Sequence, residues 1–406
     1  FHTRLIVVDP ENGAQPMTQK ENGLEYTIVY NGELYNTEEL RKELTAAGIE
    51  FFGHSDTEVV LKSYIHWGEK CLDRFNGIFA FAVWEEATQR LFFARDRMGV
   101  KPFFYALKND TFIFGSEIKT LLEYPDIEPV IDRKGIVDLL FIGPGRTPGC
   151  GVFRDIHELE PGHCGTFDRN GLRTFSYWKL KDRLHTETFE ETSDHVRYLV
   201  TDAIRRQLVS DVPLGTFLSG GLDSSIISAV AASHFRSLGH QLDTFSVTYT
   251  DNQKYFKTSK FQPTTDEPYI QMMAEFLGSN HHTFVVDNEQ LALALKAAVD
   301  ARDLPGMADV DSSLLLFCEE IKKHVTVALS GECADEIFGG YPWYRDEKIR
   351  SAYGFPWAQT TAMRQKFLTP HLRKLIDGEA EVSARYEQAL AETDKSEGLS
   401  PKESRL

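Results

Sequence analysis

The chain has 406 residues, enough for two or three domains, and 42% of them are apolar, which excludes wholesale disorder. Lys and Arg number 44 against 61 Asp and Glu, a formal charge of −17, so the basic footprint that sequence-independent nucleic-acid binding needs is missing. No long apolar run or secretory signal is visible, and five scattered cysteines without a Cys-x-x-Cys pair fit a reducing, cytoplasmic setting, so neither nucleic acid nor membrane is expected as a partner.

Residues 1 to about 180 read as β-rich. Short β-branched or aromatic runs at 27–30, 79–84, 90–94 and 111–114 are bounded by turn residues and predict strands. Helical periodicity appears at 37–47 and 56–67; in the second, Val60, Leu61, Tyr64 and Trp67 fall on one side. Runs of strands with few helices predict an α+β layered domain. Read locally, Asn31-Gly32 is a hairpin-turn signal, Asp56 an N-cap for the helix it opens, and Arg4 a surface cation.

Residues 181–190 are polar and read as a connection, which sets the expected domains at 1–185 and 190–406. From Glu191 strands alternate with longer helical patterns. The predicted order is helix 193–209, strand 212–218, a helix after a glycine turn, strand 242–249, helix 267–277, strand 282–286, helix 313–323 and strand 325–329. Such alternation predicts an α/β doubly wound parallel sheet, whose ligands bind beyond the carboxyl ends of the strands. Residues 345–406 read as helical, acidic and incompletely packed.

The glycine turn is Ser219-Gly220-Gly221-Leu222-Asp223-Ser224-Ser225. Strand, tight turn and helix start make a backbone cradle for an anion, and Ser219, Ser224 and Ser225 add hydroxyl donors. Asp223 would repel a phosphate unless a cation lay between them, so the combination points to Mg²⁺-pyrophosphate. The spacing matches neither Gly-x-x-x-x-Gly-Lys nor Gly-x-Gly-x-x-Gly. It resembles the pyrophosphate loop of the ATP-pyrophosphatase superfamily, which implies cleavage of ATP between its α and β phosphates.

A second strand, 325–329, runs into Ser330-Gly331-Glu332-Cys333-Ala334-Asp335-Glu336. Glu332 and Asp335 are three apart, so on a helical turn they would share a side and repel unless a cation lay between them. The expectation is that Asp223 and Asp335 hold Mg²⁺ on the pyrophosphate end of ATP, with Glu332 left for proton handling or substrate contact.

Here the second half resembles the synthetase domain of glutamine-dependent asparagine synthetases. The resemblance implies that Phe217 and Leu218, Val247, and the Ser330-Gly331 turn contact adenine through their backbone. In the first half, Arg4-Leu-Ile-Val-Val-Asp9, Gly13-Ala-Gln-Pro16, Tyr30-Asn-Gly-Glu-Leu-Tyr-Asn36, Ser55-Asp-Thr-Glu58 and the segment 94–105 resemble class II glutamine amidotransferase domains. These are N-terminal-nucleophile hydrolases with an αββα sandwich. The resemblance implies that Arg4 pairs with the glutamine α-carboxylate, with Leu5 and Val8 beside it, and that Asp56 takes the α-ammonium. It makes the Asn31 side chain and the Gly32 N–H the oxyanion hole, with Glu33 in the same pocket. Arg95 and Asp96 are expected to brace the fold.

The family's nucleophile is a cysteine at the mature amino terminus, and none of Cys71, Cys150, Cys164, Cys318 and Cys333 stands at such a place. The sequence begins at the arginine motif and ends in the polar stretch 397–406, so a longer protein is expected at both ends. The resemblance implies ATP-dependent amidation of aspartate to asparagine, with glutamine as nitrogen donor, β-aspartyl-AMP as intermediate and AMP and pyrophosphate as products. It allows a homodimer. Two other readings stay open: the same architecture acting on another carboxylate (a diaminopimelate-type cell-wall precursor or a β-lactam-forming substrate), and a non-catalytic binding protein on a degenerate synthetase.

Overall fold

The computed structural model describes residues 2–3, 5–143, 145–181, 183–258 and 264–392, the last residue by its main chain only; Arg4 and the polar stretch 397–406 lie outside them. The chain forms two compact units, one of Phe1–Arg183 with Trp357–Leu406 and one of Leu184–Pro356. Among the described residues no helix is long and apolar enough to cross a membrane.

In the first unit the strands are β1 (Met17–Glu21), β2 (Leu24–Leu34), β3 (Gly77–Glu85), β4 (Arg90–Arg95), β5 (Phe104–Lys108), β6 (Thr111–Gly115), β7 (His157–Glu158), β8 (His163–Asp168) and β9 (Gly171–Ser176). One antiparallel sheet has the order β1-β2-β3-β4-β8-β9, and a smaller one β6-β5-β7. Alternation along β2–β4 sends Ile28, Tyr30, Phe79, Phe81 and Phe92 to one face, against Leu40, Val60, Leu61 and Tyr64 of helices Thr37–Ala46 and Asp56–Trp67. Ala80, Ala82 and Phe93 point to the other face, where Phe103, just before β5, and Tyr105, Phe112 and Phe114 of the small sheet meet them. Helix Ile118–Leu122 buries Ile118 and Leu121 beyond that sheet. The layers therefore run helix, sheet, sheet, helix, the αββα sandwich that the resemblance implied.

Residues 357–392, read from sequence as part of the second domain, pack within the first unit. Arg364 donates to the carbonyls of Leu140 and Gly143 (3.2 and 2.8 Å), and Arg385 donates to Thr147 Oγ1 (2.6 Å). Ala358, Leu368, Ile376, Val382 and Tyr386 are buried, so this stretch is a packed helical layer rather than an incomplete one.

The second unit carries β10 (Leu214–Phe217), β11 (Asp243–Tyr249), β12 (Asn280–Val286) and β13 (Val327–Leu329), all parallel, in the order β12-β11-β10-β13. Ile204, Ala231, Ala232 and Leu277 from helices Phe189–Arg206, Leu222–Ser237 and Glu267–Leu277 cover one face. Phe317 and Ile321 of helix Ala308–Ile321 cover the other, against Phe245, Phe217 and Val247. This is the doubly wound arrangement expected from the alternation.

Candidate active sites

The second unit's site follows from its strand order. β10 has β11 on one side and β13 on the other, so the order reverses between β10 and β13, and the crevice beyond their carboxyl ends is the switch point where such sheets bind ligands. The two Ser-Gly turns leave from these two strand ends. Gly331 approaches the first turn so closely that a Cβ on it would lie 3.1 Å from both Asp223 Cβ and Ser224 N. The sheet thus brings together the two constellations that lie about a hundred residues apart in sequence.

Gly220 has φ +80°, and a Cβ there would lie 2.9 Å from Tyr269 Cβ and 3.1 Å from the Asp266 carbonyl, so only glycine fits. The turn is closed by its own hydroxyls: Ser224 Oγ accepts from Ser219 N (3.2 Å), lies 3.0 Å from Ser219 Oγ and donates to the Gly221 carbonyl (3.2 Å). Ser219 and Ser224 therefore shape the cradle, and Ser225 passes its N–H to the Gly221 carbonyl (3.1 Å). Gly221 is the N-cap of Leu222–Ser237 and offers no side chain to its first-turn N–H groups. That leaves the positive end of a four-turn helix, with Leu222 exposed beside it, facing the crevice. The Phe217 ring packs on Phe317, centroids 4.9 Å apart, and Val247 joins the same cluster, so both side chains face protein. Leu218 is buried and gives its N–H to the Phe245 carbonyl (2.8 Å).

The acids are arranged differently from the sequence expectation. Cys333 has φ +69° and is the N-cap of the short helix Ala334–Phe338. Glu332 therefore precedes the helix, with its N–H on Ser330 Oγ (3.2 Å), while Asp335 sits in the first turn. A left-handed residue between them means that they do not share a helical side. Among the described residues no group of three or more His, Cys, Asp or Glu could hold a metal alone. Asp223 and Asp335 stand on adjoining turns and would offer hard oxygens to a divalent ion, the partial protein set that Mg²⁺ accepts when it keeps waters and phosphate oxygens. The donor set fits the ion.

In the first unit, Asn31 and Gly32 lie inside β2, opposite Ala80 and Phe79, and not in a hairpin turn. Eleven residues of pairing with β1 and β3 override the local Asn-Gly preference. Asn31 Nδ2 donates to Ser116 Oγ (3.2 Å). Glu33 follows in the same strand. The helix cap is one residue earlier than expected: Ser55 Oγ accepts from Glu58 N, and Asp56 is the first helical residue. The Asp56 carboxylate accepts from Tyr30 Oη (2.9 Å), Leu34 N (3.3 Å) and its neighbour Thr57 N (2.8 Å). Burial and the Asp56 charge hold the Tyr30 phenol well above its ordinary value, so it remains the donor. Leu5 is largely exposed and Val8 half-buried, just ahead of buried Asp9; Arg4 lies outside the described residues.

Arg95 is a brace: its guanidinium donates to the carbonyls of Lys101, Leu159 and Gly99 and pairs with Glu158 at 3.0 Å. Asp96 accepts from the N–H groups of Phe79, Met98, Val100 and Lys101. Burial raises every thiol, Cys164 to about 12, so none of the five has the lowered pKa of an activated nucleophile. Two polar partners escaped the sequence reading. Tyr30 reads as a strand position and as the start of the 30–36 motif but with no polar role, and Ser116 stands 85 residues from Asn31 with no motif linking them.

A family model described as glutamine amidotransferase domain matches residues 1–178, and one described as asparagine synthase matches residues 195–405. The chain belongs to the asparagine synthase family. It is 54% identical to "Asparagine synthetase [glutamine-hydrolyzing] 3" of Bacillus subtilis (strain 168) over 98% of this chain and 64% of that protein. With "Asparagine synthetase [glutamine-hydrolyzing] 1" of the same organism it shares 37% identity over 84% of this chain and 52% of that protein. "Amidase chry2" of Gibberella zeae is a family relative at 30% identity over 90% of this chain and 54% of that protein. The chain thus spans between 52% and 64% of the length of these curated relatives.

Proposed function

We propose that the chain serves ATP-dependent amidation of aspartate to asparagine, with glutamine as nitrogen donor. The observation that carries this reading is the meeting of two acid-bearing Ser-Gly turns at the switch point of one parallel sheet. In this reading the first-turn N–H groups after Gly221 hold the β and γ phosphates of ATP, and the main chain at Phe217, Leu218, Val247 and Ser330-Gly331 receives the adenine. Asp223 and Asp335 would hold Mg²⁺, which supplies charge neutralisation to the leaving pyrophosphate. The aspartate β-carboxylate attacks the α phosphorus, and Glu332, exposed at the crevice rim, takes the proton that ammonia sheds when it displaces AMP.

The first unit would supply that ammonia from glutamine. Asp56 receives the α-ammonium, Arg4 the α-carboxylate, and Asn31 Nδ2 with Gly32 N–H the developing oxyanion. Adenylation makes a good leaving group of a carboxylate oxygen, which is why both units are needed for one amide. Incubating the intact protein with MgATP, glutamine and single carboxylic acids, and measuring AMP and amide, tests the reading. Aspartate-dependent formation of AMP and asparagine in equal amounts supports it. AMP formed with another acid and not with aspartate would support a second reading, another acceptor on the same machinery, which the amidase name of the Gibberella zeae relative favours.

A further inference from the structure

The Gly13-Ala-Gln-Pro16 motif has no role in the chemistry above, and the structure gives its glutamine an unusual place. β1 pairs with β2 from Met17, opposite Ile28, onward. Continuing that register back past Pro16 sets residue 15 opposite Tyr30. There the ladder is completed by a side chain: Gln15 Nε2 donates to the Tyr30 carbonyl (2.9 Å) and Gln15 Oε1 accepts from the Tyr30 N–H (2.6 Å). The same Nε2 lies 3.4 Å from Thr57 Oγ1, next to Asp56 in the first turn of its helix. One amide therefore ties β2 to the start of the helix. This pairing also fixes the amide's orientation, since the reversed one would set donor against donor.

Tyr30 carries the consequence to both sides of the glutamine pocket. Its phenol holds Asp56 Oδ2 at 2.9 Å, and its carbonyl leads directly into Asn31. We propose that Gln15 is a positioning residue of the glutamine site: by gripping both main-chain groups of Tyr30 it sets the phenol that holds Asp56 and the strand register that presents Asn31. The proposal rests on the glutamine reading of the first unit. It makes Gln15 and Tyr30 determinants of selectivity for the α-amino group, although neither is assigned to touch substrate.

The test compares glutaminase kinetics of the intact protein on L-glutamine and on glutaramate, its analogue without the α-amino group. Tyr30→Phe removes one oxygen and leaves the strand intact; it is expected to raise KM for L-glutamine about tenfold, the worth of a hydrogen bond to a charged group, with KM for glutaramate unchanged. Gln15→Leu is expected to raise KM for L-glutamine similarly and also to lower kcat on both substrates about tenfold, because Asn31 loses its register. Equal changes on both substrates in Tyr30→Phe, or wild-type KM and kcat in Gln15→Leu, would overturn the proposal. If Gln15→Leu does not fold, Gln15→Glu, which keeps the shape but sets a carboxylate oxygen against the Tyr30 carbonyl, is read in its place, with the same expected and overturning results. A wild-type protein that does not prefer L-glutamine to glutaramate removes the glutamine reading itself, and the proposal with it.

Discussion

Gly331 and Asp223 are in contact across the switch point: a Cβ placed on Gly331 would lie 3.1 Å from Asp223 Cβ and 3.3 Å from its carbonyl carbon. The two turns close one crevice because the residue after Ser330 has no side chain. A methyl group there must push the first turn away by a few tenths of an ångström, and the turn is held by Ser219 and Ser224, so it resists. Gly331→Ala is expected to weaken MgATP binding by about tenfold, with an overpacking cost of about 1–3 kcal/mol at the crevice. Calorimetric titration with MgATP measures this, and unchanged affinity would show that the two turns do not share the nucleotide.

Asp223 stands in the first turn of a helix whose positive end faces the crevice. Carboxamide in place of carboxylate keeps the shape and removes the charge that a divalent ion needs. Asp223→Asn is expected to lower ATP–pyrophosphate exchange at least about a hundredfold, ~2.7 kcal/mol in the barrier. Glutamine hydrolysis should be largely kept. Exchange at the wild-type rate with Mg²⁺ would remove Asp223 from the metal site.

What could be read in the sequence, and what could not, divides along physical lines. Helix 56–67 and helix 267–277 were bounded correctly because apolar period and end signals agree there. The Ser-Gly-Gly loop was legible because strand, turn and helix start are contiguous. Helix Asn288–Arg302 was missed even though Asp287 and Gln290 form a capping box, since its alternating Leu-Ala pattern blurs the helical period. The hairpin of β8 and β9 was missed because Arg173 and Asp168 interrupt the apolar alternation. Asn31-Gly32 misled locally, as its turn preference yields to pairing with β3. The packing of 357–392 within the first unit depends on contacts more than 200 residues apart, such as Arg364 with Leu140, which no local pattern encodes.

Asp9 joins the arm before β1 to the turn before the Asp56 helix. Its carboxylate, 1% exposed, accepts from Asn12 N (2.9 Å), His54 N (2.7 Å) and Ser55 N (3.1 Å). Burial alone would raise the carboxyl, but the donating N–H groups of Asn12 and His54 hold it below its ordinary value of 3.8. A depressed pKa stabilises the fold above the unfolded value near 3.8, and that contribution is lost as pH falls through the folded value. Asp9→Asn puts an NH₂ where only acceptors fit, and is expected to cost about 2 kcal/mol at pH 7. Urea unfolding of both proteins should show the gap closing as the pH drops below about 4. A gap that stays constant from pH 7 to pH 3 would mean that the Asp9 charge does not hold the turn.

The cysteines offer a readout of the nucleotide site that needs no turnover. Cys71, Cys150 and Cys164 are buried, whereas Cys318 and Cys333 are exposed. Burial also raises the Cys333 thiol, and the charges of Glu336 and Glu332 push it further up, so little thiolate exists at neutral pH. Alkylation by iodoacetamide should therefore be slow at pH 7 and faster near pH 9, and native protein should take up label at Cys318 and Cys333 alone. Cys333 is the cap of the turn that carries Asp335. MgATP seated in the crevice is expected to slow labelling of Cys333 by about tenfold or more, as peptide mass spectrometry would measure. Mg²⁺ added at the same concentration without nucleotide should protect far less, because two carboxylates alone bind that ion weakly. Labelling of Cys333 at the same rate with and without MgATP would place the nucleotide away from the second turn.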